Sequence, residues 1–135
     1  MKIRKGIFAV VYKKVDDYYH FAVFERQLHW KGWEMIKGGL EKNETYEGCV
    51  RRELKEEAGI RNIIKLEKLN EIQSWNYTMN GERIKTEFVP FLVEVPSDTK
   101  LNIKNNPTPE HTKAFFLNFR ANKIPAARPI TAPLR

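Results

Sequence analysis

The sequence predicts one α+β domain built on a mixed β-sheet with a single strongly marked helix. The chain has 135 residues, which is about the length of one domain. Its composition, 41% hydrophobic and 12% aromatic, is that of a folded globular protein. Short β-branched and aromatic runs separated by turn residues fill most of the sequence, and one segment carries helix signals.

The segments before the helix predict a hairpin and a short strand. Asp16-Asp17 is a turn signal between two β-branched, aromatic runs. The predicted elements are strands at Lys5–Tyr12 and Tyr18–Phe24, a loop at Gln27–Gly32, and a short strand at Trp33–Ile36.

The helix is predicted at Thr45–Ala58. Asn43 is the expected N-cap, and Gly59 is placed to end the helix in a left-handed conformation. An apolar stripe at i+4 spacing is expected to anchor the helix to the core; its members are Tyr46, Val50, Leu54 and Ala58.

The segments after the helix predict more strands. Asn80-Gly81 is a strong hairpin turn, and Pro90 favours an edge position or a bulge for its strand. The predicted elements are strands at Ile63–Gln73, Trp75–Met79, Arg83–Val95 and Lys113–Leu117, a polar loop at Pro96–Pro109, and a helix at Asn118–Ile124. We expect a single domain over residues 1–124 and a Pro-rich basic tail over 125–135.

Charge and cysteine usage restrict the partners. A net charge of +7 attracts polyanions such as nucleotides or RNA, although it also serves solubility alone. The one cysteine, Cys49, cannot form an internal disulfide, which fits the cytoplasm. We expect no membrane partner, because no apolar run approaches the roughly 18 residues that cross a bilayer. No feature indicates an obligate protein partner.

Three glutamates share one face of the predicted helix. At about 100° per residue, Glu53, Glu56 and Glu57 lie within an arc of about 100°. Carboxylate oxygens at this density suit Mg²⁺ or Mn²⁺, and a magnesium ion held by few protein ligands keeps positions for phosphate oxygens. The alternative is a solvated helix with i,i+4 ion pairs, each of which contributes only about 0.3–0.5 kcal/mol.

The spacing around these glutamates resembles the signature of the Nudix hydrolases, G-x5-E-x7-R-E-U-x-E-E-x-G-U, where U is aliphatic. The nine defined positions are filled by Gly38, Glu44, Arg52, Glu53, Leu54, Glu56, Glu57, Gly59 and Ile60. The resemblance implies an α/β/α sandwich with a catalytic loop-helix-loop, and cleavage of a nucleoside diphosphate linked to another group. It also implies a divalent cation as the cofactor.

The same resemblance implies roles for individual residues. Glu53, Glu56 and Glu57 match the metal-binding carboxylates, and the backbone carbonyl near Gly38 adds a ligand. Arg52 is expected to pair with Glu44 and to support catalysis.

A second resemblance concerns the asymmetric diadenosine tetraphosphate hydrolases. Pro109–Leu117 is similar to their Glu-His-x4-Trp-Leu segment, with Phe116 in place of tryptophan. Trp33 and the run Lys37-Gly38-Gly39 are similar to their W-x-x-P-K-G segment, with isoleucine in place of proline. Glu110 then becomes a fourth catalytic carboxylate, as general base or metal ligand; a solvated loop glutamate is the alternative. Which glutamate is the base stays open.

Substrate-binding candidates flank the signature. Lys37 is positioned for phosphates, and Gly38 and Gly39 let the backbone approach them without a Cβ. Trp75 and Tyr77 share one face of a predicted strand and could stack on adenine; cross-strand packing is the alternative. Two further phosphate candidates are Arg26 and Lys42.

The leading hypothesis is a Mg²⁺-dependent pyrophosphohydrolase that converts diadenosine tetraphosphate to ATP and AMP. One alternative is removal of pyrophosphate from a 5′-triphosphorylated RNA end, which the net charge and basic tail favour. The other is a catalytically silent nucleotide-binding module.

Overall fold

The computed structural model describes residues 1–26, 32–103 and 111–120, with side chains in the last stretch at 113–117. Its elements are β1 (Lys2–Val15), β2 (Tyr18–Arg26), β3 (Gly32–Glu34), β4 (Ile36–Gly39), α1 (Tyr46–Ala58), β5 (Lys65–Lys68), β6 (Gln73–Met79), β7 (Glu82–Glu94) and β8 (His111–Arg120). All eight strands belong to one sheet. The α+β class with a mixed sheet and one marked helix is therefore confirmed. Helix α1 is the one helix in this part of the chain, and it is too short and too polar to span a membrane.

Strand β1 organises the sheet. It runs parallel to β7 from Lys2↔Ile84 to Tyr12↔Glu94. On its other side it pairs antiparallel with β4 and then with β2. Strand β2 also pairs with β3 and β8, and β7 also pairs with β5 and β6, all antiparallel. This arrangement holds the glycines at the end of β4 against the middle of β1.

The two predicted tight turns are confirmed. Asp16 and Asp17 connect β1 to β2, with Asp16 at φ 55°. Asn80 and Gly81 connect β6 to β7 with φ values of 52° and 79°. Positive φ at both central residues matches the right-handed twist of the flanking strands, which explains the Asn-Gly pair.

The start of helix α1 differs from the prediction. Thr45 is the N-cap, because its backbone is extended and its Oγ1 accepts the Gly48 N–H at 3.0 Å. Asn43, the predicted cap, has φ 64° and lies in a turn closed by the Glu44 N–H and the Glu41 carbonyl. The assignment of the cap to Asn43 was wrong because a preceding turn uses that residue.

The end of helix α1 is as predicted. Gly59 has φ 66° and donates to the Lys55 carbonyl at 3.0 Å, and the Ile60 N–H donates to the Leu54 carbonyl at 3.1 Å. These two bonds satisfy carbonyls of the last turn in the Schellman arrangement, which needs a left-handed residue. The helix therefore ends one residue after its last carboxylate, Glu57.

The predicted apolar stripe anchors the helix to the sheet. Val50, Leu54 and Ala58 are fully buried, and Tyr46 is partly buried at the edge of the same core. They pack against inward-facing residues of β1 and β7, among them Ile7. Full burial of a side chain the size of leucine contributes about 1.5–3 kcal/mol, so this stripe fixes the adjoining acidic face of the helix in place.

Pro90 lies in a central strand that pairs with β1 in unbroken register, so the predicted edge position or bulge was wrong. Strand β7 has β1 on one side, where Phe8 opposes Pro90. On the other side its partner changes from β6, which ends opposite Phe88, to β5, which begins opposite Phe91. The Pro90 carbonyl accepts the Leu69 N–H at 3.0 Å on that side. Proline has no backbone N–H to donate, and the hydrogen bond that it cannot form falls where β5 replaces β6 as the neighbour of β7.

Two other segment predictions need correction. The predicted strand Ile63–Gln73 forms a strand only at Lys65–Lys68, and Gln73 belongs to β6. The predicted helix Asn118–Ile124 begins inside β8, whose pairing with β2 continues to Tyr18↔Arg120. Predictions for the loop 27–31, the later part of the loop 96–109, the remainder of 118–124 and the tail 125–135 lie outside the described residues.

Candidate active site

The loop between β4 and α1 is fixed by backbone hydrogen bonds. The Leu40 N–H donates to the Lys5 carbonyl at 2.9 Å, which ties the loop to β1. The Glu44 N–H donates to the Glu41 carbonyl at 3.0 Å, and the Glu41 N–H donates to Glu44 Oε1 at 2.9 Å. The side chain of Glu44 is thereby aimed at the helix.

Arg52 connects this loop to the helix. Its Nε donates to Glu44 Oε2 at 2.8 Å, and its Nη2 donates to Glu44 Oε1 at 2.9 Å and to the Gly39 carbonyl at 3.0 Å. The resemblance implied this pairing of Arg52 with Glu44. The Arg52 hydrogen bonds are the main reason that the pKa of Glu44 is lowered to about 2.

The remaining guanidinium nitrogen of Arg52, Nη1, contacts the acidic face of helix α1. Nη1 donates to Glu53 Oε2 at 3.1 Å and to Glu56 Oε1 at 3.4 Å. One guanidinium therefore fixes the loop and also sets the position of two of the three clustered carboxylates. Glu53 and Glu57 are each 8% exposed, whereas the Glu56 side chain is 48% exposed.

The electrostatics of Glu53 mark it as unusual. The pKa of Glu53 is raised to about 7, mainly by burial; Arg52 opposes the rise, and the neighbouring Glu57 and Glu56 add to it. Three carboxylates held on one face repel each other, and protonation of Glu53 relieves part of that repulsion. A cation bound at this face would remove that repulsion.

Gly38 is required by close packing of β4 against helix α1. A Cβ at Gly38 would overlap the Glu53 carboxylate. Gly6 in the neighbouring strand is needed for a similar reason, since a Cβ there would overlap the Gly38 carbonyl and the Phe88 ring. The two glycines bring the backbone of β4 next to the carboxylates.

A cleft of about 280 Å³ opens at this place. It is lined by Arg4, Arg26, Lys37, Gly38, Gly39, Glu53, Glu56, Glu57, Trp75 and Phe88. The structure thus brings together most of the residues that the sequence predicted for metal and substrate. Arg52 lies behind the carboxylates, Tyr77 lines a neighbouring groove, and Glu110 lies outside the described residues.

Cations form one rim of the cleft. Arg26 Nη1 pairs with Glu34 Oε2 at 3.2 Å, and Lys37 Nζ lies 3.8 Å from Glu34 Oε1. All three side chains are largely buried. Because Glu34 draws both cations to one place, it positions positive charge in the cleft that the carboxylates also line.

An aromatic cluster forms the floor. The Trp75 ring lies 5.2 Å from the Phe88 ring and 5.9 Å from the Phe8 ring, centroid to centroid. The Arg4 guanidinium lies over the Phe88 ring of this cluster, 5.3 Å from the ring centroid. Trp75 therefore packs across strands and also lines the cleft; its stacking on a base stays a prediction.

Arg4 and Phe88 were missed by the sequence analysis. Nothing local distinguishes Arg4 from the other basic residues near the start of the chain. Its place in the cleft depends on the parallel pairing of β1 with β7, which joins residues about 80 positions apart. Lys42, a further candidate, does not line the cleft.

The donor set fits a hard divalent cation. In residues 1–26, 32–103 and 111–120, no three carboxylate, histidine or cysteine side chains are already arranged around one point. The cleft nevertheless offers three carboxylates and no soft donor, since Cys49 is buried and its thiol contacts the Gly39 carbonyl at 3.5 Å. Oxygen ligands of this type suit Mg²⁺ or Mn²⁺.

The fold and the complete signature define the class of protein. The family model of the NUDIX domain matches residues 2–134. The chain belongs to the Nudix family, and the enzyme class of that family, pyrophosphohydrolase, agrees with the class predicted from the sequence. A search of curated proteins finds none that matches this chain.

Solved structures share the fold. An Ap4A hydrolase from C. elegans in a binary complex is 19% identical, covering 84% of this chain and 78% of that chain, with a TM-score of 0.60. The E. coli dihydroneopterin triphosphate pyrophosphohydrolase is 18% identical over 87% and 83%, with a TM-score of 0.64. The NUDIX domain of Shewanella oneidensis NrtR, complexed with ADP ribose, is 16% identical over 86% and 72%, with a TM-score of 0.64. These likenesses concern the fold.

Proposed function

We propose that this protein is a Mg²⁺-dependent pyrophosphohydrolase that cleaves dinucleoside polyphosphates, with diadenosine tetraphosphate converted to ATP and AMP. One observation carries the proposal: a single cleft has three clustered carboxylates on one side and a cationic rim and an aromatic floor on the others. That pattern suits a cation, a chain of phosphates and a flat base. The presence of an Ap4A hydrolase among the structural neighbours supports this substrate class.

Glu53, Glu56 and Glu57 would hold the cation, with the Gly38 carbonyl as a further ligand. Mg²⁺ is the expected ion, and Mn²⁺ has the same preference for oxygen. When bound, the cation supplies neutralisation of phosphate charge and lowers the pKa of nearby water.

The chain's own residues then bind the substrate and move a proton. Lys37 lies at the cleft rim and would contact a phosphate. Gly38 and Gly39 leave room for the phosphate chain of the substrate to approach the protein backbone. Arg52 sets the positions of the carboxylates. Glu57, buried beside Glu53, is the proposed general base that takes the proton of the attacking water, with Glu110 as the other candidate.

Aromatic residues would hold the base. Trp75 presents part of its ring to the cleft while its other contacts fix it against Phe8 and Phe88. A ring fixed in this way loses little entropy when an adenine stacks on it. Tyr77, on the same strand face, would extend the aromatic surface.

A second candidate is the removal of pyrophosphate from 5′-triphosphorylated RNA. The net charge of +7 favours it, because phosphate contacts dominate the affinity for RNA. For either substrate we place the protein in the cytoplasm, where its single cysteine, buried in the fold, would stay reduced.

The test is a substrate panel in Mg²⁺ with wild type, Glu57→Gln and the control Glu47→Gln, which removes an exposed carboxylate in the first turn of the same helix. We expect diadenosine tetraphosphate to give ATP and AMP, a fall in kcat of at least about 10²-fold for Glu57→Gln, and no comparable fall for the control. Preferred release of pyrophosphate from triphosphorylated RNA would establish the second candidate. Nucleotide binding without turnover by wild type would show a silent module and refute the enzyme.

A further inference from the structure

A second hollow lies next to the cleft. It is a groove of about 740 Å³ with basic and apolar walls. The basic residues are Lys2, Arg4 and Lys5, and the apolar wall includes Tyr77, Met79 and Ile84. Arg4 and Gly39 line both the cleft and the groove, so the two hollows meet at these residues.

Strand pairing explains why the hollows adjoin. Arg4 opposes Thr86 in β7, and Thr86 opposes Trp75 in β6. One step further along the same face, Lys2 opposes Ile84, which in turn opposes Tyr77. Side chains directly opposite each other share a face, and residues i and i+2 share it too. The cleft and the groove are therefore consecutive stretches of one sheet face.

Arg4 differs from the other cations of the cleft. Arg26 and Lys37 each pair with Glu34, and Arg52 pairs with Glu44. Within the described ranges Arg4 has no carboxylate partner; its contact is the face of Phe88 at 5.3 Å. A guanidinium held over a ring keeps its N–H donors available at the edge, where they can bind phosphate oxygens in pairs.

Gly39 leaves this junction open. A Cβ at Gly39 would come within 3.2 Å of Arg4 Nη2. The absence of that side chain lets the guanidinium face the passage between the two hollows.

The volumes indicate what each hollow can hold. Pockets that enclose a drug-sized ligand measure about 300–1,000 Å³. At about 280 Å³ the cleft lies just below this range, whereas the groove at about 740 Å³ lies within it. A substrate that fills both needs a phosphate chain long enough to pass Arg4.

Building on the proposed function, we propose that Arg4 binds a substrate phosphate where the cleft opens into the groove, and that the groove holds the nucleoside beyond it. Arg4 is then a specificity-determining residue that selects substrates with long phosphate chains. The ligand class is a dinucleoside polyphosphate, because a short diphosphate bound at the carboxylates leaves the end of the cleft at Arg4 unfilled.

The test compares Arg4→Gln with wild type on substrates of increasing chain length: ADP-ribose, diadenosine triphosphate and diadenosine tetraphosphate. The matched control is Lys14→Gln, which removes an exposed charge from the same strand and lines neither hollow. For the tetraphosphate, Arg4→Gln should lower kcat/KM about tenfold or more, mostly through KM, because a hydrogen-bonded charge is lost. For ADP-ribose the change should stay below about twofold. Arg4→Lys should recover part of the loss, because it keeps the charge but not the paired donors.

An equal loss on all three substrates, or no loss on the tetraphosphate, would overturn the role of Arg4.

Binding of a methylene-bridged, uncleavable tetraphosphate analogue is measured for the same proteins by calorimetry. If wild type cleaves none of the substrates, the proposed function fails, and this binding comparison still decides on Arg4. Weaker analogue binding by Arg4→Gln than by wild type and Lys14→Gln supports the inference, and equal binding by Arg4→Gln and wild type refutes it.

Discussion

Glu53→Gln is expected to stabilise the metal-free protein at alkaline pH while it abolishes activity. Glu53 is 8% exposed and its pKa is raised from 4.5 to about 7. Folding at pH 8 therefore buries an ionised carboxylate beside two others. The shift corresponds to at most about 3 kcal/mol, and relaxation of the site reduces this to about 1–2 kcal/mol. Glutamine keeps the size of the side chain and still accepts a hydrogen bond from Arg52.

The pH dependence has a definite sign. Because the folded state holds the Glu53 proton more tightly than the unfolded chain, the favourable contribution is complete below about pH 4.5 and is lost as the pH rises through about 7. The stability difference between the variant and wild type should therefore be largest near pH 8 and small near pH 5.

The assay is urea unfolding in EDTA at pH 5 and pH 8, followed by the same titration in Mg²⁺. Mg²⁺ should stabilise wild type more than Glu53→Gln, because the variant lacks one ligand. Glu47→Gln, on the exposed side of the same helix, serves as the control. A variant that is less stable than wild type at pH 8 in EDTA, or that gains as much from Mg²⁺, would refute the reasoning.

Three further predictions concern residues around the same face. Gly38→Ala should lower kcat at least about tenfold, since its methyl group displaces the Glu53 carboxylate; unchanged kinetics would contradict the close packing. Glu44→Gln should lower the free energy of unfolding at pH 7 by about 1–3 kcal/mol. Because the pKa of Glu44 is about 2, that difference should shrink as the pH falls from about 4.5 toward 2, and a pH-independent difference would disprove the ion pair as its cause. Cys49, whose pKa burial raises to about 12, should resist a thiol reagent at pH 8 until urea unfolds the protein; rapid labelling of the native state would count against the buried site.

Local signals predicted the parts of the fold that local physics determines. The Asn80-Gly81 turn and the Gly59 helix end each need positive φ, and the sequence offers the residues that adopt it. The acidic helix face follows from spacing alone. The choice between Asn43 and Thr45 as the N-cap could not be predicted from the sequence. Both residue types are good caps, and the turn at Glu41–Glu44 decides between them.

Features set by long-range pairing could not be read from the sequence. Pro90 is tolerated in a central strand because β6 and β5 meet beside it, and the sequence near Pro90 carries no trace of this arrangement. Arg4 enters the cleft through a parallel pairing across most of the chain. Features that depend on such pairings, such as the position of Arg4 and the groove beyond it, can be recognised only in the three-dimensional structure.

The most direct test of the central claim is anomalous diffraction from crystals grown with Mn²⁺ and an uncleavable diadenosine tetraphosphate analogue. The account predicts a manganese peak between the carboxylates of Glu53, Glu56 and Glu57, with phosphates of the analogue in the same cleft. A manganese peak elsewhere, with those three side chains turned into solvent, would contradict it.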